Sequence, residues 1–379
     1  MVTASSASGF SICSVIAGVA AGEAQRRIPV VCDVALFYAE QGGGIRTYLD
    51  EKARYALASG AFEHHLVIPG RRRRSIPGRH ELPSLRVEAA NGYRWPLGAG
   101  ALKDTLERLC PDFVVLHDPF WRPAEVTRTA HRLGARVIAV HHASPALQAA
   151  GIPGPDSVYL PLLKRIYRHA YGEVDAVISA VDSGHDCGRS PALALRFGLD
   201  PAFRPGPGEP GRHLLYVGRL SLEKRICDLL EAAAAASWRP PVWLVGDGPA
   251  RGALETLALE LGLELRILPF VSDRGRLAQL YRGAACVVAP GPHETFGLAV
   301  LEAAASGARV VACSCTPAAS VAGPLVDTYE PKDPQDLLRA IKAALASERD
   351  VAAAAALADG HVWERIFEAE LAALQALFR

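Results

Sequence analysis

The chain has 379 residues, half of them apolar and 21% charged, with a formal net charge of +1. That length exceeds what one hydrophobic core usually supports, and the balance excludes a disordered or fibrous chain, so two α/β domains with a cleft between them are expected. A charge so near zero gives no reason to expect nucleic acid as a partner.

Residues 1–27 come first. Ser5 to Ala21 is small and mildly apolar, but no basic residue precedes it and serines and glycines interrupt it. A disordered extension is expected there, because the stretch is too short and weak for a membrane span. From Ile28 the pattern becomes regular: an apolar run to Phe37, the cluster Gly42-Gly43-Gly44, then apolar residues at helical spacing from Ile45 to Leu57. Strand, turn and helix follow from it. Further short apolar runs at His65–Ile68, Phe113–Leu116, Arg136–Val140 and Ala176–Ser179 alternate with amphipathic stretches, which predicts a parallel, doubly wound sheet over residues 28–200.

Regular structure should then break. Phe197 to Arg212 holds four prolines and four glycines in sixteen residues, and 201–212 is the expected linker. The rhythm restarts in residues 213–360, with strands predicted at His213–Val217, Val242–Val245, Leu265–Leu268, Ala285–Ala289 and Arg309–Ala312. Helices are predicted between them at Ile226–Ala236, Ala250–Leu261, Arg274–Arg282 and Gly297–Ser306, and residues 361–379 carry a last amphipathic helix, Val362 to Phe378. Strand ends from two such units can face one cleft.

Eight cysteines stand at 13, 32, 110, 187, 227, 286, 313 and 315. Cys313-Ser-Cys315 is the one close pair, its apolar context predicts packing, and the absence of two-residue spacing fits a reducing cytoplasm.

The most informative stretch runs from Val287 to Gly307. A buried strand ends at Ala289, the loop Pro290-Gly291-Pro292-His293-Glu294-Thr295-Phe296 turns, and a helix starts near Gly297, so that Glu294 lies ahead of the helix and Glu302 inside it. First-turn amides around Thr295, Phe296, Gly297 and Leu298 form a ready site for the diphosphate of a sugar nucleotide. Glu302 is placed to accept ribose hydroxyls and Glu294 to meet the sugar; the plainer alternative is a helix-dipole carboxylate and a solvated one. The segment Val217-Gly218-Arg219-Leu220-Ser221-Leu222-Glu223-Lys224-Arg225 puts two cations five residues apart on a loop after a strand, which suits a leaving diphosphate without a metal. No Asp-x-Asp triplet occurs in the chain.

Val245-Gly246-Asp247-Gly248-Pro249 also ends a strand, but its glycine spacing is not that of a dinucleotide fingerprint. Gly43 and Gly44 open a helix after the first strand, where backbone amides can approach a phosphate or sugar. Three histidines stand at strand ends: His117, His141 and His142. Arg71-Arg72-Arg73-Arg74 reads as a basic loop.

The segment from His293 to Glu302 resembles the Glu, seven residues, Glu signature of family 4 retaining glycosyltransferases, which adopt the two-domain GT-B fold. The resemblance covers about Ile28 to Arg379 and is strongest in the second half. It implies that Glu294 lies beside the donor sugar, that Glu302 binds the ribose, and that Arg219 and Lys224 neutralise the donor phosphates. It further implies donor-side roles for Gly43, Gly44, Gly218, Gly246 and Gly248, and backbone contacts to the base at Phe270 and Val271. A functional histidine follows the strand at Arg136–Val140, with His142 in register and His141 its competitor, while His117 matches a less consistent position. Val362-Trp363-Glu364-Arg365-Ile366-Phe367 resembles the closing segment, in which the last helix crosses back to the first domain. Arg71 to Arg74 correspond to basic surface with which family members that glycosylate lipids sit on anionic membranes.

The function expected is retaining transfer of a hexose from a UDP- or GDP-sugar to a hydroxyl of a glycolipid, polysaccharide precursor or small molecule, without a metal or other cofactor. The enzyme is expected in the cytoplasm, with possible contact to the inner face of the membrane. The alternatives are a sugar-nucleotide epimerase of the same architecture and a non-catalytic sugar-nucleotide-binding protein.

Overall fold

Short β-branched and aliphatic runs bounded by glycine, proline or charge form the buried strands, and the amphipathic stretches between them form the covering helices. The computed structural model describes residues 28–38, 43–86, 94–96, 98–142, 145–150, 156–179 and 190–377. The expected extension at 1–27 lies outside them, as does Gly42.

In the first unit, β1 (Val30–Val34), β2 (Glu63–Gly70), β3 (Arg74–Ile76), β4 (Arg79–Arg86), β5 (Arg94–Pro96), β6 (Phe113–Leu116), β7 (Arg136–His141), β8 (Ala176–Ser179) and β9 (Ala192–Ala194) form one sheet. Their order is β3-β4-β2-β1-β6-β7-β8-β9, with β5 on β4. The pairs β3–β4 and β4–β5 are antiparallel, and the others are parallel. Helices α1 (Gly44–Ser59), α2 (Gly100–Leu109), α3 (Pro123–Arg132), α4 (Pro145–Ala150) and α5 (Asp156–Tyr171) follow in turn.

The second unit has β10 (Leu214–Val217), β11 (Val242–Val245), β12 (Leu265–Leu268), β13 (Cys286–Ala289), β14 (Val310–Cys313) and β15 (Val326–Tyr329), all parallel, in the order β12-β11-β10-β13-β14-β15. Its helices are α6 (Ile226–Ala235), α7 (Arg251–Glu260), α8 (Arg274–Gly283), α9 (Leu298–Ala305), α10 (Pro317–Ala322), α11 (Pro334–Ala346) and α12 (Val351–Gly360). The last helix, α13 (Trp363–Leu377), packs on α1 of the first unit.

Each sheet reverses its winding direction once. In the second the reversal lies between β10 and β13, and in the first between β1 and β6. A ligand crevice forms outside the strand C-termini at such points, so the loops after β1, β6, β10 and β13 are the ones that fold topology brings to the cleft.

Several expectations need correcting. The strands β3, β4 and β5, together with β9 and β15, were not anticipated, and Arg74, expected in a loop, opens β3. The segment from Phe197 to Arg212 has no helix, yet it is not a free tether. Phe197 packs on Phe296 with ring centroids 4.7 Å apart and on Trp363 at 6.4 Å, while Phe203 packs on Tyr281 at 6.0 Å. A β-carbon on Gly198 would stand 2.4 Å from the Trp363 ring. The last helix begins at Trp363, because Val362 is taken up in a bridge to Leu199.

Candidate functional site

The loop after β10 is built by tight backbone packing. Gly246, after β11, has φ +141, and a β-carbon there would stand 2.0 Å from the carbonyl oxygen of Gly218; one on Gly248 would stand 2.2 Å from that of Leu220. These glycines therefore let the loops after β10 and β11 lie against each other. The Tyr216 hydroxyl donates to the carbonyl of Arg219 at 2.9 Å and fixes the turn. Arg219 itself is exposed, and its guanidinium makes no hydrogen bond or ion pair among the described residues. Lys224 ends a short 3-10 turn, Leu222–Lys224, that leads into α6.

The loop after β13 meets this one across the reversal point. Lys224 Nζ donates to Glu294 Oε1 at 2.7 Å, with side chains 17% and 21% exposed. Gly291 has no side chain to spare for space: a β-carbon on it would lie 3.3 Å from Lys224 Cα. Thr295 is half-buried, Phe296 is buried against Phe197, and Gly297 has φ +92 at the N-cap of α9. A β-carbon on Gly297 would also press on Thr316 at 2.6 Å. No side chain caps α9, and its first turn holds no acidic residue.

The same is true of α1, whose N-cap is Gly43. The two uncapped helix starts approach each other, since a β-carbon on Gly44 would stand 2.9 Å from Leu298 Cδ1. Two sets of orphan amides and two positive dipole ends thus converge on one place from the two units, an arrangement suited to an anion.

Glu302 lies inside α9, buried. It accepts from the Tyr281 hydroxyl at 2.9 Å, and Arg274 Nη1 stands 3.8 Å from its other oxygen. Burial pushes its carboxyl up to about 7, against the pull of Arg274 and the Tyr281 hydrogen bond. Arg274 also reaches across to the first unit, donating to Thr47 Oγ1 at 3.2 Å. Phe270 is exposed and Val271 half-buried just after β12, the edge strand of the second sheet.

In the first unit the histidines occupy a buried network. Asp33, in the middle of β1, accepts from His117 Nε2 at 2.6 Å and Lys52 Nζ at 3.2 Å on one oxygen, and meets His64 Nε2 at 2.6 Å with the other. His117 Nδ1 lies 2.7 Å from His142 Nε2, and the two rings stack with centroids 5.0 Å apart. Lys52 also meets Glu370 of α13 at 3.3 Å, and Glu370 accepts from the Tyr48 hydroxyl. Burial pushes the Asp33 carboxyl up, but the Lys52 ammonium and the His117 and His64 hydrogen bonds outweigh it and hold it well below the usual carboxylate range. His142 is pushed well below the usual histidine range by burial and by neighbouring cationic groups. His141 points to the other side of β7, with its ring 5.0 Å from that of Tyr167 and 6.2 Å from that of Tyr171.

The sequence-derived candidates therefore divide. Lys224 meets Glu294, and Gly44 meets Leu298 beside Gly297, Arg219 is exposed on the loop after β10, and His117 and His142 pack against Tyr48 of α1. Sequence reasoning missed Asp33, Lys52, His64, Glu370, Tyr281 and Arg274. Asp33 left a trace, as the single carboxylate in the strand Val-Val-Cys-Asp-Val.

Among the described residues no group of three His, Cys, Asp or Glu side chains is arranged to hold a metal ion. No helix of the described residues is long and apolar enough to cross a membrane. Cys313 is buried, as expected of packing, and Cys315 is exposed.

Comparison with known proteins bears on this arrangement. The family described as "Glycosyl transferases group 1" matches residues 202–358, and "Glycosyltransferase Family 4" matches residues 42–182. The chain is 30% identical to the GDP-mannose-dependent alpha-(1-6)-phosphatidylinositol dimannoside mannosyltransferase of Mycobacterium tuberculosis, over 74% of this chain and 78% of that protein. It is likewise 30% identical to the D-inositol 3-phosphate glycosyltransferase of Actinosynnema mirum, over 76% and 78%. Among solved structures, sucrose-phosphate synthase from Thermosynechococcus elongatus superposes with a TM-score of 0.73 at 18% identity, covering 92% of this chain and 99% of that one. Anabaena HepE in complex with UDP gives 0.68 at 14% identity, covering 92% and 100%. The chain belongs to glycosyltransferase family 4, a nucleotide-sugar-dependent transferase family, and its paired parallel sheets have the GT-B fold.

Proposed function

We propose that the protein transfers a hexose, with retention of anomeric configuration and without a metal ion, from a UDP- or GDP-sugar to a hydroxyl acceptor. The observation that carries this reading is the Lys224–Glu294 pair on the loops leading into α6 and α9, together with the contact between the uncapped starts of α9 and α1 at Leu298 and Gly44. The ammonium has three donors and spends one on Glu294, so it keeps others for a phosphate oxygen. In this reading the diphosphate lies against the first-turn amides of α9, with Arg219 on its outer side and Gly43 and Gly44 closing from the first unit. The sugar lies beside Glu294 and the ribose beside Glu302. The bond from the anomeric carbon to the phosphate oxygen breaks, the acceptor oxygen bonds to that carbon on the same face, and the acceptor proton passes to the departing phosphate. Lys224, Arg219 and the helix amides stabilise the charge that develops on the leaving group. Glu294 orients the sugar and forms no covalent bond to it.

The M. tuberculosis relative's GDP-mannose dependence makes that donor the first to try, and its phosphatidylinositol dimannoside acceptor favours a glycolipid. The exposed run Arg71, Arg72, Arg73 and Arg74 would then rest on anionic lipid at the inner face of the membrane, with the enzyme in the cytoplasm. The test is a donor panel of GDP-mannose, UDP-glucose, UDP-galactose, UDP-glucuronate and UDP-GlcNAc, scored first by thermal stabilisation and then by product formation with and without EDTA. A product whose anomeric coupling shows inversion sinks the mechanism, loss of activity in EDTA sinks metal independence, and conversion of donor with no acceptor present favours an epimerase.

A further inference from the structure

The second sheet ends on one side at β12, whose outer edge has no neighbouring strand. Backbone groups of alternate residues in a strand point to opposite sides, and Val242 and Gly246 donate to the carbonyls of Glu264 and Leu268. Glu264, Arg266 and Leu268 therefore turn to β11, while the amides and carbonyls of Leu265 and Ile267 point outward, together with the carbonyl of Leu263. None of these outward groups makes a hydrogen bond among the described residues, and the Leu263 amide is taken by the carbonyl of Ala258. Side chains alternate as well. Leu263, Leu265 and Ile267 share the face that packs on the core cluster of Leu254 and Ala258, yet each stays half-buried. Glu264 and Arg266 share the other face and are exposed; neither makes an ion pair among the described residues, and Arg266 rests on the Trp243 ring with Cζ 4.6 Å from its centroid.

We infer that β12 pairs with β12 of a second copy of this chain, antiparallel about a two-fold axis at Leu265. An unpaired edge is a template for another strand, and symmetry with chemistry selects the register. A symmetric antiparallel pair sets one residue opposite its own copy. Centred on Glu264 or Arg266, it opposes like charges. Centred on Leu263, it asks for an amide already spent on Ala258, and centred on Ile267 it sets Leu265 against Pro269, which has no amide to give. Centred on Leu265, the two copies exchange hydrogen bonds at that residue, and each Ile267 amide reaches the free carbonyl of Leu263 in the other copy. Glu264 then stands opposite Arg266 of the other copy, twice, at the positions where cross-strand side chains lie closest. Leu263, Leu265 and Ile267 of both copies continue one apolar row on the opposite face. The other edges lack this self-complementarity: β3 and β5 carry arginine alone, β15 aspartate alone and β9 no charge.

Sedimentation of the full chain over a range of concentrations tests the pairing. A monomer–dimer equilibrium that closes at two copies is expected. Arg266→Glu turns both cross-strand attractions into repulsions, as does Glu264→Arg, and each should weaken the dimer by about tenfold or more. The double change, Glu264→Arg with Arg266→Glu, exchanges the charges and should bring the dimer back to within about threefold of the parent. Both side chains are exposed, so circular dichroism and melting temperature should be unchanged in all three variants. A chain that stays monomeric at about 100 µM overturns the inference, as does association that grows beyond two copies. A dimer that ignores both single changes lies on another face and overturns it as well, and so does a double variant as weak as the single ones. None of these outcomes depends on whether a sugar is transferred.

Discussion

The two units use the same winding to bring loops to the cleft, but they treat charge differently. The second unit packs Leu214, Leu229, Leu244, Val288, Val311 and Ile341 in one core cluster, buries two carboxylates, Asp228 paired with Arg225 and Glu302, among its described residues, and keeps the Lys224–Glu294 pair half-buried on its loops. The first unit buries Asp33, Lys52, His64, His117 and His142 within its sheet-and-helix layer. The loops of the second unit are thus set by backbone fit, whereas the first unit holds a buried ionic cluster tied to a helix from the far end of the chain.

That contrast can be broken at its strongest point by Lys52→Met. Removing one member of a buried ionic cluster leaves Asp33 and Glu370 without their ammonium, and a loss of about 3–5 kcal/mol is expected in urea unfolding. A loss below about 1 kcal/mol would mean that the first unit tolerates the change as a surface site does. On the donor side, Glu294→Gln and Lys224→Ala should each lower kcat/KM by about 10²–10³ with little change in melting temperature. Activity within a few-fold of the parent would remove both from the reaction. Gly246→Ala tests backbone fit directly. Its methyl would stand 2.0 Å from the Gly218 carbonyl at φ +141, so about 3 kcal/mol of stability should go, read by thermal unfolding.

Glu302 sharpens the comparison, because it is a buried carboxylate of the second unit whose nearest cation stands 3.8 Å away. Its carboxyl is raised from 4.5 to about 7, so the fold favours the protonated form; that contribution is fully present below about 4.5 and is lost as pH rises through about 7. Melting temperature should therefore decline across that interval, and Glu302→Gln should flatten the decline. Nucleotide binding should run the other way, up to about tenfold tighter at pH 8 than at pH 6 by calorimetry, since only the carboxylate accepts both ribose hydroxyls. Equal affinities at the two pH values would separate Glu302 from the ribose. The smallest effect is expected at Arg71 to Arg74. These are exposed, and changing all four to Gln should leave stability within about 0.5 kcal/mol while reducing sedimentation with anionic vesicles.

Most of the second unit was legible in sequence because each strand is a short apolar run closed by glycine, proline or charge. Val242–Val245 and Leu265–Leu268 form strands over the expected residues. The strands β3, β4 and β5 escaped because β3 and β5 are three-residue edge strands that open on arginine, and β4 mixes charged residues and a proline into its run, a pattern that reads as loop. At the site, Lys224 and Glu294 were legible because each lies on a loop directly after a strand at the reversal point. Their direct pairing was not, since 70 residues separate them. Nor was the first-unit network. His142 could be placed at a strand end, but its partner His117 and the carboxylate behind it are brought together only when β1, β6 and β7 lie side by side.

The Lys52–Glu370 contact has a consequence for the order of events during synthesis. The strands and helix that surround Asp33 leave the ribosome early, while Glu370 is made 318 residues after Lys52. At about 5–20 residues per second, Lys52 waits some tens of seconds for its second carboxylate. During that interval the nascent first unit holds the aromatic face of α1, around Tyr48 and Tyr55, without the Phe367 ring that later covers it. A nascent chain held just short of the last helix should therefore be bound by chaperones and cut by proteases, and addition of that helix should end both.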